Sequence, residues 1–190
     1  YGRLPGFRLS GEGERQAEVT AKLLSGRDVV AVVSSPLERA RQTAAPIAAA
    51  YGLPVQVDPR LVESTNVFEG GVVEPGPGLL RHPWAWRHLV NPFRPSWGEP
   101  YAAVAARALA AVDDWRAAHP GHEVVLVSHQ LPVWTARRAV EGRRLAHRPD
   151  HRQCALGSVT SLVYEGDRLV RVEYAEPNGP GANRQGTVGA

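Results

Sequence analysis

The stretch Glu123–Gln130 constrains the fold of this chain more than any other. Its apolar residues 124–127 have the length of a buried strand, and they stop abruptly at a polar Ser-His-Gln sequence. Pro132 follows, where the first turn of a helix tolerates proline. A strand, a short polar loop and a helix in this order are typical of a parallel α/β sheet, in which ligands bind beyond the carboxyl ends of the strands. His129, beside the amides of a helix N-terminus, suits an anionic ligand, although a lone histidine in such a place is more often a core or capping residue.

The rest of the chain alternates strand and helix patterns around this stretch. Apolar runs of strand length alternate with alanine-rich segments that begin or end at Ser, Gly or Pro. Near the end, Glu165-Gly166-Asp167 separates two short strand patterns and predicts a hairpin. The strands are predicted at residues 29–33, 55–57, 123–127, 158–164 and 168–174, and the helices begin after Ser10, Pro36, Pro100 and Gln130. This order predicts an α/β fold, a three-layer α/β/α sandwich with a mixed, mostly parallel sheet.

Two segments depart from this alternation. Residues 64–100 lose all periodicity, are rich in proline and carry four aromatic side chains, which are Trp84, Trp86, Phe93 and Trp97. Long irregular segments in compact domains are usually functional, and the aromatic content favours a packed lid. Residues 175–190 are poor in apolar side chains and are predicted to be a disordered tail. Residues 1–174 then form a single domain with a lid insertion.

Composition excludes several classes of protein. The chain has 190 residues and a net charge of +3, with no basic run and no zinc-ligand spacing, so neither nucleic acid nor a metal is expected as a partner. No apolar run reaches the roughly 20 residues of a membrane span, and a signal peptide is not visible. Cys154 is the single cysteine, which fits a cytoplasmic protein. Composition leaves a homo-oligomer open and implies no cofactor.

Three polar side chains follow successive predicted strands. Arg39 lies in the first turn after residues 29–33, Glu63 follows residues 55–57, and His129 ends the strand at residues 123–127. Because the carboxyl ends of parallel strands meet at one edge of a sheet, these side chains are expected to converge on one crevice.

The residues around these positions resemble the histidine phosphatase superfamily, which includes the cofactor-dependent phosphoglycerate mutases. The stretch of residues 34–44, Ser-Ser-Pro-Leu-Glu-Arg-Ala-Arg-Gln-Thr-Ala, is the most specific element of this resemblance. Residues 9–17 are similar to the helix entry of that family, and Gly98-Glu99 stands before a helix with an arginine, as in the family. The resemblance covers roughly residues 1–174 and implies a phosphoglycerate mutase-like fold.

The resemblance also implies roles for individual residues. Arg39 would bind the transferring phosphoryl group with its guanidinium fork, and His129 would be a second donor, at its best when protonated. Glu63 matches the proton donor of the family, although Glu69 lies close enough in sequence to compete. Gln130 stands where the family usually has glycine; its amide, together with Gly6, is expected to contact substrate.

The defining Arg-His-Gly motif of the family, whose histidine is the nucleophile, is absent from the sequence. The chain also has no methionine, and Tyr1–Gly6 resembles the loop that follows the motif. These observations predict an N-terminally truncated chain without its first strand and therefore inactive. The parent protein is expected to be a phosphomonoesterase that forms a phosphohistidine on a small phosphorylated metabolite. The alternatives are a phosphoglycerate mutase, disfavoured by the short, proline-rich segment 64–100, and a non-catalytic module that binds phosphorylated ligands.

Overall fold

A computed structural model describes residues 2–65, 98–147 and 152–179. The helices are α1 (Gly11–Leu24), α2 (Glu38–Ala50), α3 (Tyr101–Ala118) and α4 (Gln130–Val140), and a short 3-10 helix covers Pro59–Leu61. The strands are β1 (Val29–Ser34), β2 (Val55–Val57), β3 (Glu123–Val127), β4 (Val159–Glu165) and β5 (Arg168–Ala175). The four α-helices and the five strands were predicted from the sequence, with bounds that differ by at most a few residues, whereas the 3-10 helix was not predicted.

Strands β2, β1 and β3 form a parallel sheet in that order. Ser34, the last residue of β1, is in register with Val57 and Val127, the last residues of its two neighbours. The three strands therefore end side by side at one edge of the sheet. Strands β4 and β5 pair antiparallel in a second sheet of two strands. In the described residues the five strands thus form two sheets, and their union in one mixed sheet stays a prediction.

Helices cover both faces of the parallel sheet. Val32 packs on one side in a cluster with Leu24 of α1 and Ile47 of α2. Its neighbour Val33 points to the opposite side and packs against Ala111 of α3. Successive side chains of a strand point to opposite faces, and the continuous apolar sequence of β1 supplies a buried residue to each face. The α/β class and the three layers predicted from the sequence are confirmed.

A side-chain cap marks the start of one α-helix, α1. Ser10 precedes α1, and its side chain accepts a hydrogen bond from the Gly13 N–H at 3.2 Å, while Glu12 and Glu14 lie in the first turn. An oxygen acceptor and negative charge both stabilise a helix N-terminus. Helix α2 instead begins after Leu37, which makes no side-chain capping bond.

Several predictions fall outside the described residues. Of the predicted lid at residues 64–100, residues 66–97 lie outside the described ranges, with the four aromatic side chains and Glu69. Of the predicted tail at residues 175–190, residues 180–190 lie outside them, whereas Ala175 is described as the last residue of β5. Both stay predictions. Within the described ranges, no helix is both long enough and apolar enough to cross a membrane.

Candidate functional site

The loops that follow β1, β2 and β3 are tied to one another at the carboxyl edge of the sheet. The N–H of Ser35 donates to the carbonyl of Val127 at 2.9 Å, which joins the ends of β1 and β3. Ser128 Oγ donates to the carbonyl of Leu61 at 2.6 Å and brings the segment after β2 to the same place. These bonds fix the backbone from which Arg39, Glu63 and His129 project.

Arg39 and His129 are in direct contact. Arg39 Nη2 lies 3.5 Å from His129 Nδ1, and the other ring nitrogen, Nε2, lies 2.8 Å from Ser35 Oγ. A guanidinium carries only donors, so Nδ1 is assigned as the acceptor. In the neutral ring the proton is then on Nε2, which donates to Ser35. Arg39 Nη2 also donates to the carbonyl of Gly2 at 2.7 Å.

The His129 ring lies in a strongly positive environment. Burial, with the charges of Arg39, Arg107 and Arg3, lowers the pKa of His129 to about 3. The ring is therefore neutral at pH 7 unless a bound anion offsets the arginine charges. From the sequence, His129 is expected to donate in its protonated form. The structure shows why that form requires an anion beside the ring.

Glu63 is half-buried, and its Oε1 accepts a hydrogen bond from the Ser64 N–H at 2.8 Å. Burial raises the pKa of its carboxyl group, although the Ser64 bond and the charges of Arg152, Arg39 and Arg107 oppose this shift. A carboxyl group with a raised pKa keeps its proton closer to neutral pH, as a general acid must. The charges of Arg39 and Arg107 act on both Glu63 and His129. The three predicted side chains, Arg39, Glu63 and His129, are therefore close enough to influence one another electrostatically.

The roles of three residues in this region were not predicted from the sequence. Ser35, which is fully buried, holds the His129 ring. Arg3 Nε donates to the carbonyl of Glu63 at 2.6 Å, and Arg107 Nη1 donates to the carbonyl of Val62 at 2.6 Å. The Gly98-Glu99 pattern before α3 was a signal for Arg107. Nothing in the sequence pointed to Arg3, whose partner is 60 residues away.

Two further residues were predicted to contact substrate. Gln130 is the first residue of α4, so its N–H belongs to the first turn, where amides have no partner within the helix. Its side chain donates from Nε2 to the carbonyl of Cys154 at 2.9 Å and so holds the segment that precedes β4. Gly6 lies in an exposed turn with a φ of +84°, a conformation that favours glycine. For both residues, substrate contact stays a prediction.

The site therefore combines fixed cationic donors with a carboxyl group suited to hold a proton. Such an arrangement is complementary to a phosphoryl group, which carries negative charge on several oxygens.

The family comparison agrees with this chemistry. The sequence profile of the histidine phosphatase superfamily (branch 1) matches residues 1–177. The chain belongs to this superfamily.

Individual relatives cover much of this histidine phosphatase chain. An uncharacterized protein of Mycobacterium tuberculosis (strain ATCC 25618 / H37Rv) is 59% identical over 93% of this chain and 88% of its own length. A probable phosphoglycerate mutase of Yersinia enterocolitica is 35% identical over 66% of this chain and 59% of its own length. The solved structure of a mycobacterial glucosyl-3-phosphoglycerate phosphatase is 31% identical, with a TM-score of 0.62 over 76% of this chain and 72% of that one. The family and the fold predicted from the sequence are confirmed.

Proposed function

We propose that this chain is the larger part of a phosphomonoesterase that acts through a phosphohistidine on a small phosphorylated metabolite. The observation that carries the proposal is the contact of Arg39 with His129, together with a carboxyl group whose pKa is raised by burial and on which the Arg39 charge also acts. The similarity to a glucosyl-3-phosphoglycerate phosphatase supports hydrolysis as the reaction.

Each residue then has a defined part in the reaction. A histidine outside these 190 residues attacks phosphorus, and the bond to the leaving oxygen breaks as the phosphohistidine forms. Arg39, His129 and the amide of Gln130 donate hydrogen bonds to the phosphoryl oxygens. Glu63 gives its proton to the leaving oxygen. It then takes a proton from the water that attacks the phosphohistidine, which releases phosphate and restores the acid.

Phosphoglycerate mutase is the second candidate function, favoured by the similarity to a probable phosphoglycerate mutase. A mutase must keep the phospho-donor and hold the carboxylate of a three-carbon acid. Arg81, Arg87 and Arg94 could bind that carboxylate, but they belong to the short segment between Glu63 and α3 and lie outside the described residues. Hydrolysis, which needs no such second site, therefore remains the proposal.

The test uses the protein together with the residues encoded directly ahead of Tyr1. Phosphate release and isomerisation are measured with 3-phosphoglycerate, with and without 2,3-bisphosphoglycerate, and phosphate release with p-nitrophenyl phosphate. We expect phosphate release that does not depend on bisphosphoglycerate. Bisphosphoglycerate-dependent isomerisation faster than phosphate release would identify a mutase. Saturable binding of these esters without turnover would identify a non-catalytic module.

Substitutions in the same protein test the assigned residues. His129→Ala should lower turnover by about 10²–10³-fold, as expected for the loss of one donor to the transition state. Arg39→Ala should lower it at least as much, because the phosphoryl group loses a charged fork. The matched control is Arg41→Ala, since Arg41 lies on the same helix but is exposed. Near-normal turnover of His129→Ala would refute its role.

A further inference from the structure

We propose that Glu99 is a positioning residue for the proton donor Glu63 and that it acts through Arg3 and Arg107. The inference rests on the proposed role of Glu63 as general acid. It assigns a function to a carboxylate that has no place in the phosphoryl site itself.

Glu99 holds two arginines at once. Its Oε1 accepts from Arg107 Nε at 2.8 Å, and its Oε2 accepts from Arg107 Nη2 at 3.0 Å, so this pair is bidentate. The same Oε2 also accepts from Arg3 Nη2 at 3.1 Å. A bidentate arginine–carboxylate pair fixes orientation as well as distance. The position of both guanidinium groups therefore depends on one carboxylate.

The remaining nitrogens of these arginines hold the backbone around Glu63. Arg3 Nε donates to the carbonyl of Glu63 itself at 2.6 Å. Arg107 Nη1 donates to the carbonyls of Arg60 and Val62 at 2.5 and 2.6 Å. Because the carbonyls of Val62 and Glu63 flank the Glu63 Cα, these bonds restrict where its side chain can point.

The backbone of Glu99 adds a third attachment. Its N–H donates to the carbonyl of Thr65 at 3.2 Å, two residues beyond Glu63. The segment from Arg60 to Thr65 is thus held on both sides of the proton donor by groups that meet at Glu99. The side chains of Glu99 and Arg107 are only 19% and 18% exposed, so water competes weakly for these bonds.

The arrangement should matter for one step of the reaction more than for binding. A proton donor must lie within hydrogen-bond reach of the leaving oxygen, and a misplacement of about 1 Å can lower a rate by about 100-fold. An alkoxide needs that proton to leave, whereas a nitrophenolate is stable without it. Phosphate binding should not weaken when the Glu99 charge is removed, because Arg3 and Arg107 keep their positive charges near His129.

The experiment compares Glu99→Gln with the parent protein, including the residues encoded ahead of Tyr1, on glycerol 3-phosphate and on p-nitrophenyl phosphate. The quantity compared is kcat/KM, which reports the steps up to formation of the phosphohistidine and not the later attack of water, which is common to both esters. We expect kcat/KM for the alkyl ester to fall about 10- to 100-fold more than kcat/KM for the aryl ester, without weaker inhibition by inorganic phosphate. Arg107→Lys, which keeps the charge but loses the fork, should give the same selective loss. Thermal unfolding of each variant establishes that it is folded at the assay temperature.

Glu141→Gln is the matched control. Glu141 also pairs with two arginines, Arg137 and Arg143, and its side chain is 20% exposed. It follows the last residue of α4, twelve positions beyond His129, or about 18 Å along a helix. This variant should lose some stability but retain the parental ratio of the two kcat/KM values.

A double variant separates positioning from mere support of the fold. In Glu63→Gln the acid is absent, so the addition of Glu99→Gln should cause no further selective loss on glycerol 3-phosphate. Equal losses of kcat/KM on both esters in Glu99→Gln, or additive losses in the double variant, would overturn the positioning role. If Glu63→Gln alone shows no selective loss on the alkyl ester, the role of Glu63 in the proposed function is wrong, and the inference for Glu99 fails with it.

Discussion

At the level of single residues, the unusual property of the site is a neutral histidine among three arginines. Burial of the ring and the charges of Arg39, Arg107 and Arg3 lower the pKa of His129 to about 3. A phosphate anion beside the ring would offset the charges of the three arginines and would attract the imidazolium. We therefore expect inorganic phosphate or vanadate to raise the pKa of His129 by at least about one unit, equivalent to about 1.4 kcal/mol.

NMR titration of the ring nitrogens measures this shift, with His129→Gln used to assign the signals. Sodium chloride at the same ionic strength is the control, because screening alone should act on all histidines alike. If phosphate binds and the His129 ring titrates at the same pH as before, the ring does not face the anion, and its assignment as a donor fails.

Arg39, Glu63 and His129 were predictable because each follows a strand and strand ends converge in a parallel sheet. Ser35 belonged to a recognised stretch, but its bond to His129 depends on how the loops after β1 and β3 meet. Arg3 and Arg107 contact backbone carbonyls that are far away in sequence. Because every residue has a carbonyl, the sequence does not indicate which one an arginine will bind. The sequence therefore indicates the groups proposed to act on substrate better than the groups that hold them.

At the level of elements, Asp58 fastens β2 and the 3-10 helix to α3. Its carboxylate accepts bonds from Arg60 and from Trp115 Nε1, the latter at 2.9 Å, and its side chain is only 7% exposed. These bonds lower its pKa from 3.8 to about 2, although burial opposes the shift. Asp58→Asn should therefore lower the free energy of unfolding at pH 7 by about 2 kcal/mol, as measured by urea denaturation.

The pH dependence follows from the direction of this shift. Because the folded-state pKa lies below the unfolded one, the stabilisation by Asp58 is fully present above about pH 5 and is lost as the pH falls toward 2. The difference between parent and variant should shrink over that window. Asp114→Asn is the control, since Asp114 pairs with the same Arg60 but is 70% exposed and should matter little. A constant difference from pH 7 to pH 2 would contradict this account.

The elements themselves were largely predictable. Ser10, Gly26 and Pro54 mark the ends of helices and strands in the sequence, and these boundaries are close to the observed ones. The pairing of β4 with β5 was predicted, but their separation from the parallel sheet in the described residues was not. A hairpin pattern fixes the register between its own two strands but does not indicate which other strand they join.

At the level of the whole molecule, β3 is the informative element. In the described part of the chain it forms one edge of the parallel sheet, and its apolar residues Val124, Val125 and Leu126 remain half-buried. The central strand β1, of similar composition, is buried at five of its six positions. An apolar edge strand with unpaired backbone groups is a site of aggregation. The strand proposed to carry the nucleophilic histidine, which the family resemblance places beside β3, would cover this edge.

This inference predicts different behaviour for two lengths of the protein. The 190-residue chain alone should aggregate and should release no phosphate from p-nitrophenyl phosphate, because its sequence lacks Arg-His-Gly. The protein extended by the residues encoded ahead of Tyr1 should be soluble and active. Substitution of the histidine in an upstream Arg-His-Gly should abolish turnover without restoring aggregation. Light scattering, urea unfolding and phosphate release measure the three properties. A soluble 190-residue chain that unfolds cooperatively would show that β3 needs no further strand. Turnover by that chain would place the nucleophile among these 190 residues.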